Sequence, residues 1–304
     1  MITWEAPAKI NLHLRVKGLR ADGYHALESV FLALDWGDTL RVDASWGKGT
    51  CELVRNCLLP QEALPFSPEE DLAYRAALLF RQKTGYDRAL RIELDKRIPL
   101  GAGLGGGSSD AAAVLLALDR LARTGLSASA LKVLAEALGS DVPFFLSPGA
   151  ALVCGRGEEL TLLDPPKDIW VVLVNPGFAQ DTAGAFRLLD AERGRGWLLP
   201  EELAPETLGK ALSGPPGLWP YGNDFLSLFL ERGPAGRARA YGAILESLKA
   251  LDAEFTGLSG SGSTCFGVFI QGGAADRALQ VLREEWSFVR ITFPLARSGN
   301  AVLQ

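Results

Sequence analysis

The sequence predicts an α+β protein made of two domains. Its 304 residues are long for a single hydrophobic core. Apolar residues that alternate from Ile10 to Val16 indicate a half-buried strand, whereas the Ala- and Leu-rich run Ala111–Leu121 favours a helix. From Ala150 onward the pattern changes to strands and Gly-Pro turns, which places the domain boundary near Cys154–Gly157. The predicted domains are residues 1–154 and 155–304.

The rest of the first half mixes strands and helices. Cys51–Ser67 carries little signal and is interpreted as irregular. Ser67, followed by proline and two acidic residues, predicts a helix start, and Gly85 predicts its end. Further predicted strands are Val30–Leu34, Thr39–Ala44 and Ala89–Leu94.

The segment Pro99–Ala113, PLGAGLGGGSSDAAA, is a glycine-rich loop that runs into a helix. Glycine lets a backbone approach a ligand closely, and the free amides of a first helical turn attract negative charge. The segment therefore predicts an anion site. Ser108, Ser109 and Asp110 are good N-cap residues, so one of them is expected to begin the helix.

Other glycine loops fit this segment less well. A dinucleotide-binding fold needs a strand after the helix, but the next residues, Ser127–Leu138 included, indicate another helix. A P-loop needs a lysine after the glycines, and a protein kinase needs the H-R-D and D-F-G motifs; neither is present. A flexible linker would not lie between an alternating strand and an apolar helix.

The first half ends with a helix that Gly139 closes and with Asp141, whose context GSDVPFF predicts a helix cap. Asp168–Val174 is a continuous apolar run typical of a central strand. Arg193–Pro220 is interpreted as loops between short helices. The last predicted elements are the helix Arg237–Leu251, a glycine turn and strand over Leu258–Ile270, the helix Ala274–Trp286 and the strand Phe288–Phe293.

Composition excludes several classes of protein. The net charge is −5 and no Lys/Arg cluster offsets it, so no nucleic-acid partner is expected. Four scattered cysteines and two histidines lack the spacing of a zinc site. No run of 18 apolar residues and no leader pattern occurs, so we expect a cytoplasmic protein with no membrane partner, either a monomer or a weak homodimer.

Five motifs in this order resemble those of the GHMP kinases: PAKINL from Pro7, DGYH from Asp22, the glycine loop, GSDVPFF from Gly139 and SGSGSTCF from Ser259. The resemblance spans about 260 residues. It implies a two-domain GHMP kinase-like fold of mixed sheets and helices, with the active site in the cleft between the domains. It also implies ATP and Mg²⁺. DGYH and DVPFF point to the branch that phosphorylates a small molecule, a cytidine diphosphate-linked methylerythritol.

The resemblance assigns roles that the residue patterns alone leave open. Strand alternation places Lys9 and Asn11 on one face, which by itself is more typical of a solvated edge. In the family, the lysine approaches the reacting hydroxyl, the asparagine positions the substrate and Asp141 is the catalytic aspartate. The family counterparts of Tyr24, His25 and Phe186 bind the base. The implied ATP-binding residues are Pro99, Leu100, Gly101, Ala102, Gly103, Leu104, Gly105, Gly106, Gly107, Ser108 and Ser109.

One position departs from the family pattern, and two other functions stay open. Asp110 stands where the family most often has asparagine, which leaves open whether it contacts a metal. A homoserine or mevalonate kinase would share the glycine loop, but neither acceptor carries a base for DGYH and Phe186 to bind. A catalytically inactive binding protein of the same fold would not need both Lys9 and Asp141.

Overall fold

The computed structural model describes residues 1–21, 23–59, 66–197 and 203–296, without the side chains of residues 45–48. Within these ranges the chain forms two β-sheets with helices packed on both, which confirms the α+β class. The strands are β1 Ile2–Leu19, β2 His25–Lys48, β3 Cys51–Cys57, β4 Arg88–Lys96, β5 Ala150–Cys154, β6 Glu159–Leu163, β7 Trp170–Asn175, β8 Phe255–Leu258, β9 Cys265–Phe269 and β10 Phe288–Thr292. The α-helices are α1 Leu72–Thr84, α2 Gly106–Ala122, α3 Ala128–Leu138, α4 Val142–Phe145, α5 Thr182–Gly194, α6 Pro205–Ala211, α7 Asp224–Arg232, α8 Ala235–Ala250 and α9 Gly272–Glu285.

The first sheet has the order β3-β4-β2-β5-β6, with β1 paired to β2. β3 and β4 run parallel and the other pairs are antiparallel. A register shift between Pro7 and Lys9 changes which face of β1 meets which core. Ala6 packs in the core shared with α1 to α4, whereas Ala8 and Ile10 pack between the two sheets.

The second sheet is antiparallel, with the order β10-β7-β9-β8. One of its faces packs on α5, α7, α8 and α9, through side chains such as Leu189, Phe229 and Leu248. The other face meets β1, because Leu173 and Phe266 share a core with Ile10. Strand β1 is therefore held between the first sheet and the second lobe.

Two predictions for the first half need correction: one gives the right strand residues but divides them, and the other is wrong in part. Val30–Leu34 and Thr39–Ala44 belong to one continuous strand, β2, because Gly37 pairs with Pro7 and the chain does not turn there. Cys51–Ser67 is not wholly irregular, because Cys51–Cys57 forms β3 at the edge of the sheet. Among the residues of β3 a single side chain, Leu53, is buried, so the sequence carries little apolar periodicity.

Helix boundaries follow capping chemistry. Ser67 starts a 3₁₀ turn over Pro68–Glu70, and the following α1 is capped by Asp71, which accepts a hydrogen bond from the Ala73 amide at 3.0 Å. Gly85 ends α1 with a φ of 71°, as predicted. The predicted strand at Asp168 begins later, at Trp170.

The later elements agree with expectation. α8, α9 and β10 lie where helices and a strand are predicted, and 193–220 contains α6 and a 3₁₀ turn over Pro216–Leu218. Residues 198–202 of that region lie outside the described ranges. The division into domains at 154/155 stays a prediction; it falls in the turn that joins β5 to β6. No helix in the described part of the chain is long and apolar enough to cross a membrane.

Candidate active site

The glycine-rich loop connects β4 to α2 and turns by means of glycine conformations. Gly101, Gly103 and Gly105 have φ values of 59°, 76° and 73°, a region that disfavours other residues. At Gly103 a Cβ atom would lie 2.1 Å from the carbonyl oxygen of Ser259. Glycine is therefore required there both for the turn and for contact with the segment after β8.

The helix α2 begins earlier than predicted. Its first residue is Gly106, and Gly105 takes the N-cap position, so the prediction that Ser108, Ser109 or Asp110 caps the helix is wrong. The loop reaches a helical path as soon as its last positive-φ glycine is passed. Ser109 and Asp110 are consequently buried within the helix.

The loop turns its carbonyl groups toward the protein. The four consecutive carbonyl oxygens of residues 101–104 each accept a hydrogen bond. The donors are, in order, the Gln180 amide at 2.9 Å, the Thr264 amide at 3.1 Å, the Ser259 hydroxyl at 2.8 Å and the Lys9 amide at 3.0 Å. No hydrogen bond from the amides of residues 103–108 is found within the described ranges. These amides are free to bind an anion such as a phosphate.

Lys9 lies on β1 directly beside this loop. Its side chain is buried rather than on a solvated edge, and Nζ donates to Asn11 Oδ1 at 2.5 Å. Nζ also lies 3.5 Å from Asp141 Oδ2. Burial lowers the pKa of the Lys9 ammonium, and the Asp141 carboxylate opposes that change. Lys9 and Asn11 therefore project together, as predicted, and meet Asp141.

Asp141 precedes the four-residue helix α4 at its N-cap position. Its side chain makes no capping hydrogen bond, so the prediction of a capping role is wrong for this side chain. The carboxyl group is about one-third exposed and lines a cavity. It is therefore available to a reacting group.

The far end of the cavity is aromatic. The Phe186 ring stacks on His25, with centroids 5.0 Å apart and planes at 23°, and meets the edge of Phe225 at 4.9 Å. His25 Nε2 is hydrogen-bonded to Asp190 Oδ1 at 2.8 Å. Phe186 lines the cavity and His25 does not, so the Phe186 ring is the one of the two that a base in the cavity could contact.

Tyr24 lies apart from these rings. Its side chain is exposed, and the Arg156 guanidinium lies 5.2 Å from the ring centroid. Tyr24 is absent from the cavity lining, so the structure does not bring it together with Phe186. Asp22, the first residue of the DGYH motif, lies outside the described ranges.

The cavity has a volume of about 320 Å³ and lies between the lobes. The first lobe contributes the glycine loop, β1 and Asp141, and the second lobe contributes residues of α5, α7 and the turn after β8. Among the predicted site residues, those in the lining are Lys9, Asn11, Gly103, Gly105, Ser108, Asp141 and Phe186. Those outside it are Pro99, Leu100, Gly101, Ala102, Leu104, Gly106, Gly107, Ser109, Tyr24 and His25.

Some lining residues carry no role in the sequence analysis. The hydroxyl groups of Thr182 and Ser261 lie 3.0 Å apart at the cavity wall. Ser259 is outside the lining, but it accepts a hydrogen bond from the Asn11 backbone amide at 3.2 Å and donates one to the loop. Ser259 and Ser261 belong to the motif SGSGSTCF, which was the available signal, but their contacts with β1 and α5 are long-range.

A buried ionic cluster lies beneath the start of α2. The Lys96 ammonium binds Asp38 and also Asp110 Oδ2, the latter at 2.6 Å, and all three side chains are almost fully buried. Burial lowers the pKa of Lys96, but the two carboxylates outweigh it and raise that pKa overall. Burial raises the pKa of Asp110 well above its usual range, although Lys96 opposes this. Asp110 therefore pairs with a lysine and is absent from the cavity lining.

Comparison with known proteins gives two matches to family models. Residues 71–149 match the model described as GHMP kinases N terminal domain, and residues 230–287 match GHMP kinases C terminal. Among curated relatives, the 4-diphosphocytidyl-2-C-methyl-D-erythritol kinase of Anaeromyxobacter dehalogenans is 45% identical over 275 residues, which are 89% of this chain and 81% of the relative. The kinase of the same name from Xanthomonas axonopodis pv. citri is 39% identical, over 92% of this chain and 86% of the relative.

Solved structures agree with these relatives. A crystal structure of 4-(cytidine 5'-diphospho)-2C-methyl-D-erythritol kinase matches with a TM-score of 0.76 and 36% identity, over 97% of this chain and 100% of the other. A mevalonate kinase matches with a TM-score of 0.66 at 12% identity, over 98% of this chain and 100% of the other, and so shares the fold.

A glycine loop with free amides, facing a lysine and a carboxylate across an interlobe cavity, defines an ATP-dependent small-molecule kinase of the GHMP type. Identities of 39% and 45% over most of both chains are more specific than the fold. The chain belongs to the 4-diphosphocytidyl-2-C-methyl-D-erythritol kinase family.

Proposed function

We propose that this chain transfers the terminal phosphoryl group of ATP to the 2-hydroxyl of 4-diphosphocytidyl-2-C-methyl-D-erythritol. The products are the 2-phosphate and ADP, in the non-mevalonate isoprenoid precursor pathway. The observation that carries the proposal is the Lys9–Asp141 pair, 3.5 Å apart, in a cavity that reaches from the loop to Phe186. One end of this cavity suits phosphate and the other suits a base.

In this mechanism Asp141 accepts the proton of the acceptor hydroxyl. The Lys9 ammonium, 3.5 Å from that carboxylate, stabilises negative charge on the attacking oxygen. Asn11 holds Lys9 in place through its 2.5 Å hydrogen bond. A general base of this kind accelerates a reaction by roughly 10² to 10⁴.

The amides of residues 103–108 bind the ATP phosphates. Mg²⁺ supplies charge neutralisation on those phosphates when it is bound. Within the described ranges no group of three or more His, Cys, Asp or Glu side chains could hold a metal ion by itself. The residues present therefore suit a Mg²⁺ that arrives with the nucleotide. Asp141 is the one carboxylate in the described lining that could contact it.

The base of the acceptor stacks on Phe186, and His25 hydrogen-bonds its edge. Asp190 already engages His25 Nε2, which leaves Nδ1 for the ligand. Tyr24 remains a proposed second stacking partner, which requires its exposed ring to move toward Phe186 when the acceptor binds.

We also propose a cytoplasmic monomer or weak homodimer with no nucleic-acid partner. Cys51, Cys154 and Cys265 are free thiols, which suits a reducing compartment. The homoserine and mevalonate kinases share the fold, and Phe186, which lines the cavity of this chain and stacks on His25, supports an acceptor that carries a base.

ADP release measured with a panel of acceptors tests the proposed function. We expect turnover with 4-diphosphocytidyl-2-C-methyl-D-erythritol and none with mevalonate or homoserine. Turnover with mevalonate or homoserine instead would replace the proposed acceptor. ATP binding without turnover of any of the three would favour the inactive binding protein.

A further inference from the structure

A second cavity lies on another part of the molecule, where the end of β4 meets α9 and β10. Its volume is about 570 Å³, within the range of small-molecule sites. Its described lining shares no residue with the active-site cavity. Both lobes contribute, because Trp36 and Arg97 come from the first and Arg283 and Arg290 from the second. We call it the arginine cavity.

The charges around the arginine cavity are all of one sign. Arg97, Arg283 and Arg290 line it, and none of the described lining residues is acidic. Across the described ranges, none of the three guanidinium groups forms an ion pair. Burial lowers the pKa of Arg290, and repulsion from Arg97 and Arg283 lowers it further, with Asp35 acting the other way. The Asp35 carboxylate is itself held by the Thr292 hydroxyl at 2.6 Å.

Some well-exposed arginines elsewhere have carboxylate partners, as in Arg91–Glu52 at 3.0 Å and Arg277–Asp252 at 3.1 Å. What distinguishes the arginine cavity is that three arginines converge on one cavity with no acidic residue in its described lining. The chain as a whole carries a net charge of −5, so acidic partners are plentiful. Three unpaired cations around one cavity repel each other unless an anion lies between them.

The floor of the arginine cavity is aromatic and rigid. The Arg290 guanidinium lies 5.2 Å from the Trp36 ring centroid, a cation–π contact that orients it. Trp36 is buried and packs against Phe288, with centroids 5.7 Å apart. Arginine forks bind phosphate oxygens in a bidentate geometry, and a pre-oriented fork loses less entropy on binding.

We propose that the arginine cavity binds an anion that carries two or more phosphate groups. A singly charged anion would neutralise one of the three guanidinium groups, whereas a diphosphate carries enough charge and oxygen atoms to bind more than one of them. Arg97 directly precedes Ile98 and Pro99 at the start of the glycine loop, and Arg283 and Arg290 lie in the other lobe. A bound diphosphate therefore links the start of the ATP-binding loop to the second lobe.

Inorganic pyrophosphate is the probe, with ADP and Mg²⁺ present in saturating amounts to occupy the active site. Trp36 and Trp286 line the cavity, so tryptophan fluorescence reports binding. We expect saturable binding to the wild type. In Arg283→Gln and in Arg290→Gln the affinity should fall about tenfold, which corresponds to about 1.4 kcal/mol, because each variant loses one charge-assisted contact with the anion. Sodium chloride at equal ionic strength should not reproduce the signal.

Arg277→Gln is the matched control, because it removes an arginine of the same helix that is already paired with Asp252. It should bind pyrophosphate as the wild type does. The far-ultraviolet circular dichroism of each variant verifies folding, and Arg283→Gln changes an exposed side chain. Absence of binding in the wild type, or equal affinity in all four proteins, would overturn the proposal.

Discussion

At the scale of single residues, a substitution at Asp141 can test its chemical role without disturbing the fold. Its side chain makes no capping hydrogen bond, so Asp141→Asn should leave thermal stability almost unchanged. The variant loses the charge that accepts a proton, so we expect kcat to fall by about 10² or more. Steady-state kinetics measures the change in kcat, and thermal unfolding measures the change in stability.

Lys9→Met tests the same pair from the other side, and methionine suits the buried position of Lys9. Because both residues are proposed to act on one proton, the losses in kcat should be non-additive in the double variant. Wild-type turnover in Asp141→Asn would exclude Asp141 as the base while leaving the kinase fold intact.

Phe186 carries the prediction for acceptor binding. Phe186→Ala removes the ring that stacks on His25, so acceptor affinity should fall by roughly 1 to 3 kcal/mol while ATP affinity stays constant. Isothermal titration calorimetry with the acceptor and with ATP measures the two affinities separately. Leu188→Ala, on the same helix and outside the cavity lining, is the control. Equal losses for both ligands would show a general structural defect instead.

His13 carries a prediction about acid stability. It is fully buried, its Nδ1 accepts a hydrogen bond from the Gly222 amide at 3.2 Å, and burial lowers its pKa to about 4. The unfolded chain, with a pKa near 6.5, then binds the proton more readily, so the free energy of unfolding falls as pH drops from about 6.5 to 4. The loss from this residue is roughly 3 kcal/mol at pH 4.

Asparagine keeps an acceptor for the Gly222 amide and does not titrate. Urea unfolding of wild type and His13→Asn at pH 7 and pH 4.5 should therefore show a smaller acid-induced loss in the variant. Parallel losses in the two proteins would mean that His13 binds its proton normally in the folded state.

Whether a residue's role could be predicted from the sequence depends on whether its contacts are local or long-range. Lys9 and Asn11 could be predicted as a pair because strand alternation is local. Asp141 could be placed by its motif, but the missing capping bond depends on how α4 packs. The Asp190 contact with His25 joins residues 165 positions apart, so no local pattern indicates it.

At the scale of elements, the Lys96 cluster fixes both ends of the glycine-rich loop. Asp38 accepts hydrogen bonds from the amides of Arg97 and Ile98, at 2.5 and 2.8 Å, where β4 enters the loop. Asp110 belongs to α2, which leaves the loop. The Lys96 ammonium lies 3.3 Å from the position that a Cβ of Gly106 would take, so it sits directly beneath the first helical residue.

Lys96→Met would leave two carboxylates facing each other without a cation. We expect the KM for ATP to rise about tenfold or more while the KM for the acceptor changes little, because the loop end moves. Asp110→Asn keeps a hydrogen-bond partner and leaves a neutral Lys96–Asp38 pair, so its effect should be smaller. Arg55→Met breaks another buried ion pair, with Asp71, and controls for lost stability. Equal KM changes for ATP and acceptor in Lys96→Met would contradict this role.

The type of an element could be predicted where its apolar periodicity was strong, as in β1, α1 and α2. The residues at which elements begin and end could not be predicted in the same way. The start of α2 depends on the backbone of Gly105, which composition does not reveal. The continuity of β2 depends on the pairing of Gly37 with Pro7, a contact between distant residues. β3 depends on a parallel partner, β4, that follows it by more than 30 residues.

At the scale of the whole molecule, residues of both lobes line the candidate active-site cavity, so its shape depends on the contacts that join the lobes. β1 belongs to the first sheet, yet its end is bonded to the second lobe. Leu14 donates its amide to the Gly222 carbonyl at 2.8 Å, and Val16 donates its amide to Asp224 Oδ2 at 2.8 Å. Asp224 also binds Arg15 at 2.5 Å. These bonds were unpredictable because they join residues about 200 positions apart.

Asp224→Ala tests whether the two lobes unfold together. It leaves Arg15 almost buried and unpaired, a change that costs about 3 to 5 kcal/mol, and frees the end of β1 from the second lobe. Because Ile10 of the same strand packs between the sheets, we expect hydrogen exchange to accelerate in the cores of both lobes, at Leu118 of α2 and Leu248 of α8 alike. Asp95→Asn, which weakens an ion pair within the first sheet, should act less and on that sheet alone. Faster exchange at Leu248 with none at Leu118 in Asp224→Ala would instead show that the lobes open independently.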